Sequence, residues 1–325
     1  MKKGPFEPVR RTSEAIRTME IRGAGRIARA ASSALSEMVE IWDGPSRDEL
    51  LSDLKKAAGM LHATRPSAVS LRNAILLTLK GAELEEDVDS IREAVRNNSS
   101  SFLKASREAV EVISRIGMKR IPKGSTVMTH CNSSAALSII EAAFNDGRIE
   151  EVYATESRPW RQGQLTAGWL AERGIPVTMI VDSAARFFMN GMDMVCVGAD
   201  TVAANGAVIN KIGTAQIALA AHEARTPFMV AAETYKFSPE TLMGSLVEIE
   251  DRGPEEVADP LKPEDLPGVK FKNPVFDATP PEYIDSIVCE LGIISPYMAT
   301  EIIREMFGGF RSLSSGRNGS DFRWL

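Results

Sequence analysis

Apolar residues recur at helical spacing through the first third of the chain. "SEAIRTME" sets Ile16 and Met19 three apart, and "IARAASSALSEMVEIW" continues the pattern with small and apolar residues. Ser46 is the expected N-cap of a helix with Leu50, Leu51, Leu54 and Ala58 on one face. "PSAVSLRNAILLTLK" predicts another helix with Pro66 at its first position. The stretch from Leu84 to Lys119 predicts a long amphipathic helix or a pair, ending at Gly117, with the Asn-Ser cluster at 97–101 as a weak point. From Ile121 the rhythm changes: "STVMTH", "EEVYAT", "IPVTMIV", "MDMVCVGAD" and "FMVAAE" are short β-rich runs, separated by helical segments and a hairpin-like "VAANGAVI". Such alternation predicts an α/β fold, a Rossmann-like parallel sheet with crossover helices, preceded by an all-helical N-terminal domain. The expected boundaries are 1–120 for the helical domain, 121–308 for the Rossmann-like domain and 309–325 for a disordered Gly/Ser/Arg-rich tail. After Ser245 the chain reads as irregular and Pro-rich until a last helix, "SPYMATEIIREMF".

Ligands of such sheets bind outside the carboxyl ends of the strands, which directs attention to Cys131, residues 155–158, Asp182, Asp200 and Glu233. Cys131 sits between a strand and a helix. Packing is the default role of a strand-end cysteine, but the start of a helix lowers a thiol pKa, and Ser133 and Ser134 offer hydroxyls and amides to an anion. His130 is adjacent in the strand, points to the opposite face, and so is not the base for that thiol. Asp200 ends "MVCVGAD", and the following turn returns through Asn205-Gly206 to Asn210 and Lys211, a polar cluster facing the same strand ends. Arg158, before Pro159, and Lys236 follow two further strands and bring cations suited to phosphate. "RGAGRIARA" matches the dinucleotide pattern G-x-G-x-x-A, yet the residues before it are helical in pattern. A helix start with free amides beside Arg22 is the better reading, and such a start receives phosphate.

The 325 residues carry a net charge of −6, which argues against broad nucleic-acid binding, although residues 1–30 hold eight Lys/Arg against three Glu. No apolar run is long enough for a membrane span, and no signal-peptide core is present, so a cytoplasmic protein without membrane or nucleic-acid partners is expected. Three cysteines, far apart, argue against a disulfide framework. No Cys/His pair has chelating spacing, so neither metal nor cofactor is expected.

Taken together, "RGAGRIARA", "TRPSAVSLRNA", "THCNS", "TESRPWRQGQ", "VDSAA", "GADTVAANGAVINKIGT", "AAETYKF" and "FDATPPEYI" closely resemble archaeal ribose-1,5-bisphosphate isomerases, from about Thr18 to Phe307. Those enzymes share a superfamily with methylthioribose-1-phosphate isomerase and with regulatory subunits of the exchange factor for translation initiation factor 2. The resemblance implies an aldose–ketose isomerase that makes ribulose 1,5-bisphosphate through a cis-phosphoenolate, in AMP breakdown. It implies Cys131 as proton acceptor and Asp200 as proton donor. It places a phosphate on Arg22, Gly23, Ala24 and Gly25 with Arg65 nearby, and the rest of the substrate on Ser133, Ser134, Arg158, Asn210, Lys211 and Lys236. Activation by AMP and assembly into a homodimer or homohexamer are implied as well. The alternatives are a methylthioribose-1-phosphate isomerase and a non-enzymatic translation-initiation subunit.

Overall fold

The computed structural model describes residues 4–308; the expected disordered tail lies outside them. Two compact units emerge, one ending at Glu108 and taking up the chain again from Arg304, the other spanning Ala109–Ile303. The division falls within a helix rather than at 120.

The first unit contains α1 (Glu7–Arg17), α2 (Ala24–Ile41), α3 (Arg47–His62) and α4 (Val69–Leu79), followed by α5 (Val88–Gly117), which runs on into the second unit. Leu35, Met38, Leu50, Leu54, Leu61, Leu71 and Ile75 form its dry core, as the helical spacing requires. Ser46 caps α3, its hydroxyl accepting from the Glu49 amide at 3.4 Å. Pro66 does not open α4. It lies in a turn closed by the Ala68 amide on the Arg65 carbonyl at 3.0 Å, and the helix starts at Val69. Nor is there a break at 97–101, because α5 is a single helix of 30 residues. Its polar residues there are satisfied by neighbours: Ser99 donates to the Ser32 carbonyl at 3.1 Å, and the Asn98 amide reaches the carbonyls of Thr78 and Lys80 at 3.2 and 2.8 Å. A helix whose polar groups find partners in adjacent helices has no reason to yield.

The second unit runs through β1 (Ser125–Thr129), α6 (Ser134–Asn145), β2 (Ile149–Thr155), α7 (Gln162–Ala171), β3 (Val177–Ile180), the one-turn α8 (Ala185–Phe188) and β4 (Met194–Gly198). Then come the hairpin of β5 (Thr201–Val202) and β6 (Val208–Lys211), α9 (Thr214–Ala224), β7 (Phe228–Ala231), the short α10 (Glu255–Ala258), β8 (Phe276–Thr279), β9 (Ser286–Cys289), β10 (Gly292–Ile294) and α11 (Ala299–Phe307). Seven strands form the main sheet in the order β10-β9-β7-β4-β1-β2-β3, parallel except for β10. A second, antiparallel sheet joins β5, β6 and β8. The parallel α/β architecture is the expected one. The last three strands correct the irregular reading of the Pro-rich stretch: its prolines flank β8 at Pro274 and Pro280 rather than interrupting it, and β9 is a wholly buried run of four residues.

Gly163 lets α7 begin against the end of β2, since a Cβ there would sit 1.7 Å from the Thr155 carbonyl oxygen. Backbone cannot swing aside as a side chain does. Gly163→Ala is therefore expected to cost at least about 1–3 kcal/mol, the usual cost of overpacking, read as a lowered Tm against wild type.

Candidate active site

The strand order reverses direction between β1 and β4: from β1 the chain builds outward to β2 and β3, and from β4 outward to β7 and β9. Loops leaving neighbouring strands on either side of such a switch diverge and open a crevice at the carboxyl ends. Cys131 follows β1 and Asp200 follows β4, and these two strands pair in register through Val127 with Met194 and Met128 with Val195. The topology thus brings together the two residues expected to carry chemistry.

Cys131 is partly accessible and holds a left-handed backbone, φ +67°. Ser157, after β2, does the same at φ +60°. Non-glycine residues in that region persist only where their surroundings hold them, and here the bonds are visible. The Cys131 amide donates to Ser157 Oγ at 2.7 Å, and the Cys131 carbonyl accepts from Thr166 Oγ1 on α7 at 2.7 Å. Asp182, after β3, accepts from the amides of Ser157 and Arg158, each at 2.7 Å. Asn132 is tied to the same Thr166 hydroxyl at 3.0 Å.

Ser133 caps α6, its hydroxyl accepting from the Ala136 amide at 3.3 Å, and Ser134 is the exposed first residue of that helix. A Cβ on Gly198 would lie 2.2 Å from Ser133 Oγ, so the glycine lets this cap close onto β4. Cys131 precedes the cap of α6, and although the Asn132 amide favours its thiolate, the net shift is upward, opposite to the expected lowering. Burial pushes the thiol up to about 11, the Lys211 ammonium pulls it down, and the carboxylates of Asp200 and Asp182 add to the rise. Alkylation of Cys131 by iodoacetamide should therefore climb tenfold per pH unit without levelling below about pH 10; a plateau near pH 8 would contradict this environment.

Asn210 and Lys211 end β6 and are buried. The Asn210 side-chain amide donates to Thr214 Oγ1 at 3.0 Å, and that hydroxyl donates to the Lys211 carbonyl at 2.6 Å. The Lys211 Nζ lies 4.9 Å from the centre of the Phe276 ring. On β8, opposite Asn210, Asp277 accepts from the Gly213 amide at 2.7 Å and from the Ala215 amide at 3.1 Å, holding the start of α9. Burial pushes this carboxyl up to about 6, against the pull of those amides and of Lys211.

The remaining expected cations are differently engaged. The Arg158 guanidinium donates to the Glu256 carbonyl at 3.1 Å and approaches the Asp259 carboxylate at 3.4 Å, so it holds the segment around α10. Lys236 is buried and paired with Glu233 at 2.7 Å. Burial works against the Glu233 carboxylate, but Lys236 and the Tyr235 hydroxyl outweigh it and hold its pKa below the ordinary range.

In the first unit, "RGAG" forms the turn into α2, with Gly23 at φ +87° and no side chain capping the first amides. Among the described residues no strand precedes it, and the segment before it is α1, which removes the dinucleotide reading. Ser70 donates to the Ala24 carbonyl at 3.4 Å, setting the start of α4, preceded by the turn of Arg65, beside the start of α2. Among the described residues no three His, Cys, Asp or Glu side chains could hold a metal ion, and no helix is long and apolar enough to cross a membrane.

Sequence reading singled out the strand ends, Ser157 and Asp182 among them, but not the hydrogen bonds by which these groups hold the loops. His130, set aside as a base, is buried with both ring nitrogens engaged. Thr155 and Ser157 lie within the segment 155–158 singled out from the sequence, whereas Thr166, inside α7, carries no signal there. Asp277 was hidden because its strand went unrecognised.

Residues 20–296 match the initiation factor 2 subunit family. A ribose 1,5-bisphosphate isomerase of Archaeoglobus fulgidus is 53% identical over 305 residues, covering 93% of this chain and 95% of the relative. One of Methanocaldococcus jannaschii is 46% identical over 307 residues, covering 94% and 98%. Among solved structures, 5-methylthioribose 1-phosphate isomerase from Pyrococcus horikoshii OT3 superimposes with a TM-score of 0.75 at 30% identity, over 92% of this chain and 87% of that one.

Proposed function

The chain belongs to the initiation factor 2 subunit family, as one of its isomerases, and on that premise we propose that it converts ribose 1,5-bisphosphate to ribulose 1,5-bisphosphate. The observation that carries this reading is the placement of Cys131 and Asp200 on the two sides of the β1/β4 switch, with the Asp200 carboxylate and the Lys211 ammonium both within electrostatic reach of the thiol.

The neutral thiol is the resting form; with a pKa of about 11 only about one molecule in ten thousand holds a thiolate at pH 7. Passing the thiol proton to Asp200 arms both groups at once, leaving a thiolate base and a carboxylic acid. The thiolate takes the C2 proton. The C2–H electrons form the C1–C2 double bond, the bond from C1 to the ring oxygen breaks, and that oxygen takes the proton from Asp200. The product of this step is a cis-phosphoenolate at the enol level. Asp200 then accepts the O2 proton while the Cys131 thiol protonates C1, giving the ketone. Asn210 and Lys211 supply donors at these oxygens, and Ser133, Ser134, Arg158 and Lys236 are proposed to serve the substrate around them. The turn Arg22–Gly25 at the start of α2, with Arg65, is proposed to hold a phosphate. Arg22→Ala should then raise KM for the bisphosphate at least about tenfold, the loss of roughly 1.4 kcal/mol.

The sharing of one proton has a pH signature. The reactive pair holds as many protons as the resting pair, so kcat/KM should stay flat between about pH 7 and pH 10. If the thiol had to lose its proton to solvent instead, kcat/KM would rise tenfold per unit across the same range, and the donor role of Asp200 would fall. The reading also carries AMP as an activator, a place in AMP breakdown, and a homodimeric or homohexameric assembly, which activity with added AMP and sedimentation would test.

A further inference from the structure

His130 is the last residue before Cys131, and its side chain is wholly buried. Its Nε2 lies 2.9 Å from the Ile212 carbonyl oxygen, which can only accept, so Nε2 carries the hydrogen. Burial holds the imidazole pKa below its ordinary value, so the ring is neutral and Nδ1 is an acceptor. Thr155 Oγ1, at 2.5 Å, then donates to it. Through Ser157 Oγ, 3.4 Å from Thr155 Oγ1 and 2.7 Å from the Cys131 amide, the same network returns to the cysteine backbone. Gly213 rests against the ring as well, since a Cβ there would meet His130 Cε1 at 3.2 Å. The loop bearing Lys211, Ile212 and Gly213 is thus held from β1 by His130 and from β8 by Asp277.

We propose that His130 is a positioning residue: its ring ties the segment leaving β1, which carries Cys131, to the peptide next to Lys211, and so fixes the ammonium where its field reaches the thiol. The charged groups acting on Cys131 are Lys211 on β6, Asp200 after β4 and Asp182 after β3; Lys211 is the cation among them. Asp277 on β8 and the Cys131 thiol both feel that cation. A loop released from His130 lets Lys211 drift toward solvent or Asp277, and the thiol loses its cation. This inference rests on the proposed use of Cys131 as the base, but its test reads the thiol directly and needs no turnover.

The test is the rate of iodoacetamide alkylation of Cys131 at pH 9, followed at its own peptide so that Cys196 and Cys289 do not contribute. Lys211→Met should slow it by about threefold or more, the effect of removing one nearby cation. His130→Asn reaches only the Thr155 side and should slow it similarly, whereas His130→Gln can donate toward the Ile212 carbonyl and should react as wild type. The double variant His130→Asn with Lys211→Met should be no slower than Lys211→Met alone. Gly213→Ala disturbs the same tie from the loop side and should slow alkylation too, which keeps the test usable if His130→Asn does not fold. The proposal is overturned if Lys211→Met leaves the rate unchanged. It is also overturned if His130→Asn and Gly213→Ala react as wild type, if His130→Gln is as slow as His130→Asn, or if the double variant shows additive losses.

Discussion

Cys131→Ser is expected to lose about 10²–10⁴-fold in turnover, the usual cost of removing an acid–base group, while retaining the fold. The hydroxyl is nearly the size of the thiol but is a far weaker acid, so it cannot become the base. The structure explains why folding should survive: the bonds that fix residue 131 come from its amide and carbonyl, to Ser157 and Thr166, and not from its sulfur. The other cysteines are controls with the opposite pattern. Cys196 is fully buried in β4, its thiol pushed up to about 12 by burial alone, with Sγ 4.0 Å from the Ala136 carbonyl oxygen. Serine at Cys196 should lower Tm more than it lowers kcat. Steady-state kinetics beside thermal melts distinguish the cases; a Cys131→Ser protein with more than about a tenth of wild-type turnover removes Cys131 from the mechanism.

Asp200→Asn is expected to lower kcat by about 10²-fold or more with KM near wild type. The amide keeps the size of the carboxylate and much of its hydrogen bonding, and the backbone bond from the residue 200 amide to the Ile209 carbonyl, 3.0 Å, is untouched. What is lost is the ability to take and return a proton. That loss is felt in the transition state and not in binding. A variant whose KM rises while kcat holds would make Asp200 a binding residue only.

Much of this arrangement could be read from local pattern. The β-rich runs from Ile121 onward alternate with helices because each strand must be covered by a crossover, and that alternation survives in the observed sheet. The Asn205-Gly206 turn closes as expected, with the Ala203 amide on the Ala207 carbonyl at 2.9 Å and Gly206 at φ +86°. Other features depended on contacts no local pattern encodes. The serines and asparagine of α5 look like a break until Ser32 and Thr78 are seen to receive them. Lys236 reads as an available strand-end cation until Glu233 is found paired with it in the interior. The acidity of Cys131 follows the same rule: the nearby helix start is visible in the sequence, but the burial that raises the thiol pKa and the Lys211, Asp200 and Asp182 charges around it are set by tertiary structure. His130 was judged by strand alternation alone, which says where a side chain points but not what it holds.

The most direct measurement is turnover of ribose 1,5-bisphosphate and of methylthioribose 1-phosphate by the same purified protein, with the ketose products identified by mass and NMR. The account predicts formation of ribulose 1,5-bisphosphate and a kcat/KM for the bisphosphate at least about a hundredfold above that for the monophosphate, since one lost charge-assisted phosphate site with several donors is worth roughly 3 kcal/mol. Equal or better turnover of methylthioribose 1-phosphate, or no turnover of the bisphosphate, would contradict it.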